Sequence, residues 1–258
     1  MSDQPFFERV GAEYRVNRIA AGPWDPNSLH GRVVVGLLAH AIEAEHGSAE
    51  FLPARLTVDM YRLPGFDAVE VKTRIVRDGK RIKVIDAEFF SGGVSMARAT
   101  SQLLRRTQNA PGKVWTPPNW DAPPPEAIDI PPERRSALGG MWEIRPIAGM
   151  MGTHGTRRLW MRERRALVGG EALTPFVRAA LAADFASPFA NAGDQGLGYI
   201  NSDATLYLHR AVKGEWVGME VTNHHATDGV AIGECAVYDI EGPVGTATVA
   251  ALAQRRNM

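Results

Sequence analysis

Few residues of this sequence could do chemistry, and the most informative of them lie among apolar neighbours. Asp184 lies in the segment Leu181-Ala-Ala-Asp-Phe185, and a carboxylate in such surroundings can orient a water molecule and accept its proton. A structural hydrogen bond or an exposed position on a helix is the alternative interpretation. His40 lies 144 residues earlier, in a stretch with helical periodicity, where a buried structural histidine is the commoner role.

Other motifs favour structural roles. Gly93-Val-Ser-Met-Ala97 has the form of a nucleophile elbow, but it lies within a strand pattern with no helix after it, so we expect Ser95 to be structural. His224 and His225 precede a turn, which predicts a loop. No set of His, Cys and carboxylate residues has the spacing of a zinc site, so we predict no metal. Cys235 lies in a strand pattern and is expected in the core.

Composition excludes several classes of protein. The chain has 29 Lys and Arg against 29 Asp and Glu, so no net positive charge would recruit nucleic acid or an anionic membrane. A single cysteine excludes a disulfide framework within the chain, and no apolar run is long enough to span a membrane. The first residues lack the basic-then-apolar order of a signal peptide, so we expect a cytoplasmic protein.

A helix from Ser28 to Glu45 is the element around which the first half is organised. Ser28 is a plausible N-cap, apolar residues recur at helical spacing, and Gly47 follows where a helix would end. The opposite face, which includes Val35 and His40, is also small or apolar. A helix without a polar face is normally covered on all sides, so we expect the neighbouring strands to enclose it.

The strand patterns of the first half are long and antiparallel in character. Asp78-Gly79 is a hairpin signal between two of them. The predicted strands are Glu13 to Arg18, Ala54 to Arg62, Ala68 to Arg77, Lys80 to Phe90 and Val94 to Arg106.

A proline-rich segment joins two halves that look alike. Eight prolines fall between residues 107 and 135, which excludes a helix or a central strand there. Gly79 to Arg106 can be placed over Gly229 to Arg256 at an ungapped offset of 150 residues, and Thr174 to Ala186 supplies a second helix with Thr174 as N-cap. We therefore predict an N-terminal unit at 1–106, a linker at 107–140 and a C-terminal unit at 141–258.

Together these features resemble the double-hotdog acyl-CoA thioesterases of type II. The resemblance rests on Leu29-His-Gly-Arg-Val-Val-Val-Gly36, on Ala182-Ala-Asp-Phe185, and on Asp203-Ala-Thr-Leu-Tyr-Leu-His-Arg210 followed by Glu215-Trp216. It implies an α+β fold of two tandem hotdog units, each a curled antiparallel sheet around a helix. It also implies an acyl-CoA substrate, no cofactor beyond the coenzyme A of that substrate, and further association, such as a homodimer.

In that family an Asp, a Thr or Ser, and a Gln hold a water molecule that attacks the thioester carbonyl. The Asp maps onto Asp184, the hydroxyl position onto Asn201 with Ser202 beside it, and the Gln position onto Ala250. An asparagine amide can replace a hydroxyl because it both donates and accepts hydrogen bonds. The family's Gly-Gly pair before the first helix is Gly31-Arg32 here, and amides near Gly31 could donate to an oxyanion.

The resemblance thus gives a catalytic set of Asp184, Asn201 and Gly31. The expected substrate contacts are His30, Arg32, Val35, His40 and Ser202. Asn201 could instead cap a turn, and His30 could instead cap the first turn of its helix. A basic cluster of Arg157, Arg158, Arg162, Arg164 and Arg165 is either a solvated face or a site for the phosphates of coenzyme A.

Two hypotheses follow. The first is a thioester hydrolase that uses water and Asp184. The alternative, which Ala250 favours, is a non-catalytic protein that binds acyl-CoA or a lipid-like ligand. A hotdog hydratase ranks last, because neither helix begins with a short Asp-to-His motif.

Overall fold

Antiparallel pairing runs almost without interruption from one end of the molecule to the other in the computed structural model, which describes residues 4–118, 120–130 and 142–254. Strands of the first half are β1 Phe7–Val10, β2 Glu13–Val16, β3 Phe51–Met60, β4 Val69–Asp78, β5 Ile82–Ser91 and β6 Val94–Arg105. Those of the second half are β7 Glu143–Ala148, β8 Arg158–Arg162, β9 Ala192–Gly193, β10 Gly196–Leu197, β11 Tyr199–Asn201, β12 Asp203–Leu208, β13 Val217–Thr227, β14 Val230–Asp239 and β15 Gly242–Ala253. The helices are α1 Gly31–His46, α2 Pro175–Ala183 and α3 Ala186–Asn191.

The main sheet joins the two halves at a central strand pair. Its order is β1-β2-β4-β5-β6-β3-β12-β15-β14-β13-β8-β7, with β11 paired to β15, while β9 and β10 form a separate small ribbon. β3 and β12 pair antiparallel, with Leu56 opposite Leu206. α1 packs on strands β3 to β6 and α3 on β13 to β15, and α1 also packs against α2. Each half therefore covers its own helices with its own strands.

α1 is covered on both faces, as its sequence predicts. Residues 32–39, 41 and 42 are all buried, and Gly47 follows the last helical residue, His46. The predicted N-cap is wrong. The cap is His30, whose Nδ1 accepts from the Arg32 amide at 3.2 Å, whereas the Ser28 hydroxyl donates to the Asp25 carbonyl. α1 thus begins at Gly31, and its N-cap lies two residues later than expected.

The second helical segment is interrupted at Asp184. Thr174 caps α2 as predicted, since its Oγ1 accepts from the Val177 amide at 3.1 Å. The prediction of one continuous helix to Ala186 is wrong, because α2 ends at Ala183 and α3 begins at Ala186. Pro188 has no N–H for the Asp184 carbonyl, which instead accepts from the Ser187 amide at 3.2 Å in a tighter turn. Asp184 therefore lies at a helix end.

The repeat is visible in the strand pairing, but its register differs from the predicted one. The hairpin that pairs Ser91 with Val94 corresponds to the one that pairs Asp239 with Gly242, which is an offset of 148 residues rather than 150. The two-residue loop Asp228-Gly229, with φ of 52° and 80°, then corresponds to Lys80-Arg81. Asp78-Gly79 is therefore not the turn itself: Asp78 pairs with Lys83, and the Gly79 amide donates to the Ile82 carbonyl.

Two further predictions need correction. No strand was predicted before Glu13, but β1 lies at Phe7–Val10, and Phe6 and Phe7 are fully buried. His224 and His225 lie within β13 rather than on a loop. Cys235 is fully buried, as predicted, and burial raises the pKa of its thiol.

The described part of the proline-rich segment packs against the second half. Residues 107–118 and 120–130 form no strand, and their only helical turn is Pro125–Ala127. Trp120 stacks on Tyr238 at 4.3 Å and meets Trp160 edge-on at 4.7 Å. The rest of the predicted linker lies outside the described residues, and the unit boundaries stay a prediction. No helix among the described residues is long and apolar enough to cross a membrane.

Candidate active site

Asp184 lies against the N-terminal end of α1, where the two halves meet. It is 4% exposed, and its Oδ1 accepts from Asn201 Nδ2 at 3.1 Å. Its Oδ2 is 3.4 Å from His30 Nδ1. The carboxylate is packed so closely on Gly31 that a methyl group there would be 2.7 Å from Oδ1. The three residues that the resemblance gave as catalytic are thus brought together by α2, β11 and α1.

Asn201 makes both contacts that the sequence left open. Its Nδ2 donates to Asp184 Oδ1 and also to the Asp203 carbonyl, each at 3.1 Å, so it ties the turn between β11 and β12 as well as the carboxylate. Both hydrogens of the amide are then engaged, and the amide oxygen remains as an acceptor. Asn201 therefore fixes Asp184 and keeps one group for a water molecule or a substrate.

The Nδ1 atom of His30 lies near both a hydrogen-bond donor, the Arg32 amide, and an acceptor, the Asp184 carboxylate. To accept from the Arg32 amide, Nδ1 must carry a lone pair, whereas to donate to Asp184 Oδ2 it must carry a proton. Protonated Nδ1 would therefore give up the helix cap and bind the carboxylate. The helix-capping role and the site role of His30 exclude one another at any instant.

A cavity of about 230 Å³ lies between the two halves and includes these residues in its wall. Its first-half wall comes from the start of α1, the preceding loop and the segment after β3; its second-half wall comes from the α2–α3 turn, β11 and the end of β15. It is lined by Pro23, Trp24, Leu29, His30, Gly31, Val34, Met60, Tyr61, Arg62, Leu63, Pro64, Asp184, Ser187, Pro188, Leu197, Ile200, Asn201, Ser202 and Leu252. Most of this wall is apolar, which suits a ligand with a hydrocarbon part.

Three of the expected substrate contacts do not line this cavity. Val35 is 1% exposed in the core. Arg32 is 2% exposed, with Nη1 3.1 Å from Glu163 Oε2 and its guanidinium over the Trp142 ring. Burial raises the pKa of Glu163, and the nearby Arg32 opposes that rise. α1 is buried on all sides over residues 32–39, so the Arg32 and Val35 side chains lie in the core and not in the cavity wall.

His40 is also remote from the cavity. Its Nε2 lies 3.4 Å from Glu171 Oε2 and 3.5 Å from Arg9 Nη2, and burial lowers its pKa. His30 and Thr174, the two helix caps, are also 144 residues apart, so His40 is the counterpart of Asp184 in the repeat. The matching second cavity, about 250 Å³ beside Glu43, Pro53 and Pro175, does not include His40. Of these two equivalent positions, only the one in the second half carries a carboxylate.

The family's Gln position, Ala250, brings no polar side chain to the site. Ala250 lies in β15 and uses its carbonyl to accept from the Ser202 amide at 3.0 Å. Gln254, four residues later, follows β15 and is not part of the cavity wall. The site therefore lacks a Gln in either place.

Ser187 is a polar residue of the cavity wall that the sequence reasoning missed. It is 1% exposed, and its Oγ has no hydrogen-bond partner in the described part of the chain. Buried hydroxyls are normally satisfied, because leaving one unpaired costs about 1–3 kcal/mol. Its position one turn after Asp184 and next to Pro188 is the signal that could have identified it.

The rim residues Tyr61 and Arg62 were also missed. The Tyr61 hydroxyl contacts the Ser95 hydroxyl, which in turn donates to Glu88. This confirms Ser95 as a structural residue within β6. The sequence signal that could have drawn attention to this segment is the repeat, in which Met60-Tyr-Arg62 is equivalent to Leu208-His-Arg210.

The basic cluster around Trp160 is held by its own neighbours. Arg158 pairs with Asp121 at 2.7 Å, Arg162 with Glu143 at 2.6 Å, and Arg157 donates to the Phe189 carbonyl at 2.7 Å. None of the cluster lines the cavity. These contacts favour the structural interpretation over a phosphate site. Among the described residues no three His, Cys, Asp or Glu side chains are grouped as metal ligands would be.

Solved structures with the same fold come from several bacteria. The TesB protein of Mycobacterium avium subsp. paratuberculosis is 17% identical, with 96% of each chain covered and a TM-score of 0.69. A hot-dog-fold protein of unknown function from Alicyclobacillus acidocaldarius is 14% identical, with 98% of this chain and 96% of that chain covered and a TM-score of 0.74. The acyl-CoA thioesterase II of Mycobacterium marinum is 15% identical, with 97% and 96% covered and a TM-score of 0.66. The fold is therefore an α+β double hotdog.

Family models identify the chain more closely. The model of the acyl-CoA thioesterase N-terminal domain matches residues 20–104, and that of the acyl-CoA thioesterase C-terminal domain matches residues 111–252. The chain belongs to the acyl-CoA thioesterase family. A search of the curated proteins finds no match.

Proposed function

We propose that this protein hydrolyses the thioester bond of an acyl-CoA by attack of a water molecule held at Asp184. Family membership supports the reaction class. The observation that carries the proposed site is the buried Asp184 carboxylate in the wall of the cavity between the halves, hydrogen-bonded to Asn201 and packed on Gly31. The acyl chain would lie along the apolar wall formed by residues such as Leu29, Val34 and Ile200.

The proposed reaction is a direct hydrolysis. Asp184 accepts a proton from the water, whose oxygen attacks the thioester carbonyl carbon, and the negative charge that develops on the carbonyl oxygen is stabilised by amides at the start of α1. The positive end of the α1 dipole favours that charge. The C–S bond then breaks, the thiolate of coenzyme A takes up a proton from Asp184, and the products are a carboxylic acid and free coenzyme A.

The Asn201 amide oxygen and the unpartnered Ser187 hydroxyl are the groups we assign to orienting the water. Together they supply the polar contacts that Gln would provide in relatives with that residue at the position of Ala250. Ser202, which also lines the cavity, keeps its predicted role as a substrate contact. The proposal needs no cofactor and no metal. The predicted cytoplasmic location and homodimer are retained as predictions.

The alternative function is binding of an acyl-CoA or lipid-like ligand without hydrolysis. The replacement of Gln by Ala250 is the observation that favours it. It predicts saturable binding with no turnover of any thioester.

The deciding experiment is thiol release from a panel of acyl-CoAs of graded chain length. We expect the wild type to release thiol and Asp184→Asn, which keeps the side-chain volume, to lower kcat by about 100-fold or more. Asp59→Asn, a change to an exposed carboxylate paired with Arg98, is the control and should leave kcat unchanged. Binding of the panel without release by the wild type would support the alternative and contradict the proposal.

A further inference from the structure

The rim of the cavity carries one arginine whose charge is not used by the protein. Tyr61 and Leu63 are 49% and 51% exposed, so the segment after β3 forms the edge of the opening. Arg62 lies between them and is the only Lys or Arg among the described residues that line the cavity. Its backbone amide donates to the Met96 carbonyl, but its guanidinium makes no hydrogen bond or ion pair with the described part of the chain.

The counterpart of Arg62 in the second half is held firmly. Arg210, 148 residues later, donates two hydrogen bonds to the Asp239 carboxylate and a third to the Gly242 carbonyl. Asp239 has a fully buried side chain and also accepts from the amides of Lys213 and Glu241. In the second half, the arginine is thus part of the fold.

In the first half, a serine stands where the second half has the carboxylate that pairs with the arginine. Ser91 precedes its two-residue hairpin loop as Asp239 precedes the equivalent loop, so Ser91 stands where the second half has the carboxylate. The Ser91 side chain is buried, and its hydroxyl has no hydrogen-bond partner among the described residues. The exchange of Asp for Ser leaves Arg62 free, and it does so in the half whose arginine lies at the mouth of the proposed active site.

We infer that Arg62 binds a phosphate group of the coenzyme A part of the substrate. This rests on the proposed function for the identity of the ligand. A guanidinium can bind a phosphate through two parallel hydrogen bonds, and an arginine without a carboxylate partner loses no existing pair when it does so. The chain has no net charge that could attract the ligand from a distance, so a local cation at the opening is needed. The Arg157 to Arg165 cluster does not line this opening.

The test compares two thioesters of the same acyl group, one on coenzyme A and one on N-acetylcysteamine, which carries no phosphate. We expect Arg62→Ala to raise KM for the acyl-CoA on the order of 10-fold or more, with kcat and the parameters of the phosphate-free thioester unchanged. Arg62→Lys should retain part of the effect, since it keeps the charge but not the two-point geometry. Arg74→Ala, which removes an exposed arginine paired with Asp86, is the matched control.

A second variant tests the reason for the inference. Ser91→Asp restores the acid of the second half and should hold Arg62 as Asp239 holds Arg210, so we expect it to raise KM for the acyl-CoA alone. Circular dichroism and a thermal melt check that it folds; the Arg62 variants decide the matter if it does not.

Binding of free coenzyme A by calorimetry separates this inference from the proposed function. Weaker binding by Arg62→Ala than by the wild type supports the inference even if no thioester is hydrolysed. An equal effect of Arg62→Ala on both thioesters would show that Arg62 supports the shape of the site and would overturn the inference. Unchanged KM and unchanged coenzyme A binding would overturn it as well.

Discussion

Gly31→Ala is the change that most directly tests how Asp184 is positioned. Gly31 is the first residue of α1, and its φ is not in the left-handed region, so alanine is compatible with the backbone. An added Cβ would lie 2.7 Å from Asp184 Oδ1, whereas an ordinary contact begins at 3.4 Å. The carboxylate must therefore move by about 0.7 Å, which stretches its 3.1 Å hydrogen bond from Asn201.

The expected effect is on the chemical step rather than on folding. A misplacement of about 1 Å costs about 100-fold in rate, so a shift of about 0.7 Å should lower kcat by about 10-fold to 100-fold, or about 1.4–2.7 kcal/mol in activation free energy. The free energy of unfolding should change by less than about 1 kcal/mol, because alanine is a better helix former than glycine. Thiol release from an acyl-CoA gives kcat, and urea denaturation gives the unfolding free energy.

Gly36→Ala is the matched control on the same helix. Its added Cβ would lie 2.6 Å from a methyl group of Leu181, away from Asp184, so it should destabilise the fold by about 1–3 kcal/mol and leave kcat unchanged. In the double variant Gly31→Ala with Asp184→Asn, the two effects should not add, since both act through one carboxylate. Unchanged kcat in Gly31→Ala, or a loss that adds fully to that of Asp184→Asn, would refute the reasoning.

Three further predictions concern groups outside that contact. Ser187→Ala should lower kcat by about 10-fold, while the melting temperature stays equal or rises because a buried unpaired hydroxyl is removed. Ser91→Ala, the control, removes another such hydroxyl and should change the melting temperature in the same way without changing kcat. Equal kcat values for the two variants would count against a role for Ser187 in the reaction. Arg32→Met should lower the free energy of unfolding, measured in urea, by about 3–5 kcal/mol, because Glu163 is left buried without its charged partner. The double variant Arg32→Met with Glu163→Gln should recover much of that loss. A double variant no more stable than Arg32→Met would contradict the pairing. Burial by itself raises the pKa of Asp239, but hydrogen bonds from Arg210 and from two amides hold it below the ordinary value, so its stabilisation is present above about pH 4 and is lost as the pH falls through the lowered pKa. Melts of wild type and Asp239→Asn should therefore differ at about pH 7 and converge in acid, and a constant difference would rule out this cause.

Sequence patterns predicted the elements well because those patterns are local. The apolar periodicity of α1 and its lack of a polar face indicated an enclosed helix, and the burial of residues 32–39 confirms this. Long strands, glycine-marked turns and the repeat indicated two similar units, and the resemblance supplied the name of the fold. The predicted register of the repeat was wrong by two residues, because the two Asp-Gly pairs do not occupy equivalent positions. Asp228-Gly229 forms the loop of its hairpin, whereas Asp78-Gly79 precedes the equivalent loop residues Lys80-Arg81. Such a shift preserves which face each strand residue occupies, so the pattern could not reveal it.

The sequence by itself predicted the two helices, with the N-cap Thr174 and the terminating Gly47, and its resemblance to the family gave the fold class and the choice of Asp184 and Asn201 as partners. Only the tertiary structure decided which residues surround them. Arg32, Val35 and His40 lie on the same helix as Gly31, but contacts with Glu163, the core and Glu171 remove them from the cavity. Ser187, Tyr61 and Arg62 line it instead. The physical reason is that the cavity lies between two halves distant in sequence, so its wall depends on how α1, the α2–α3 turn and the β3 end pack together, which no local pattern encodes.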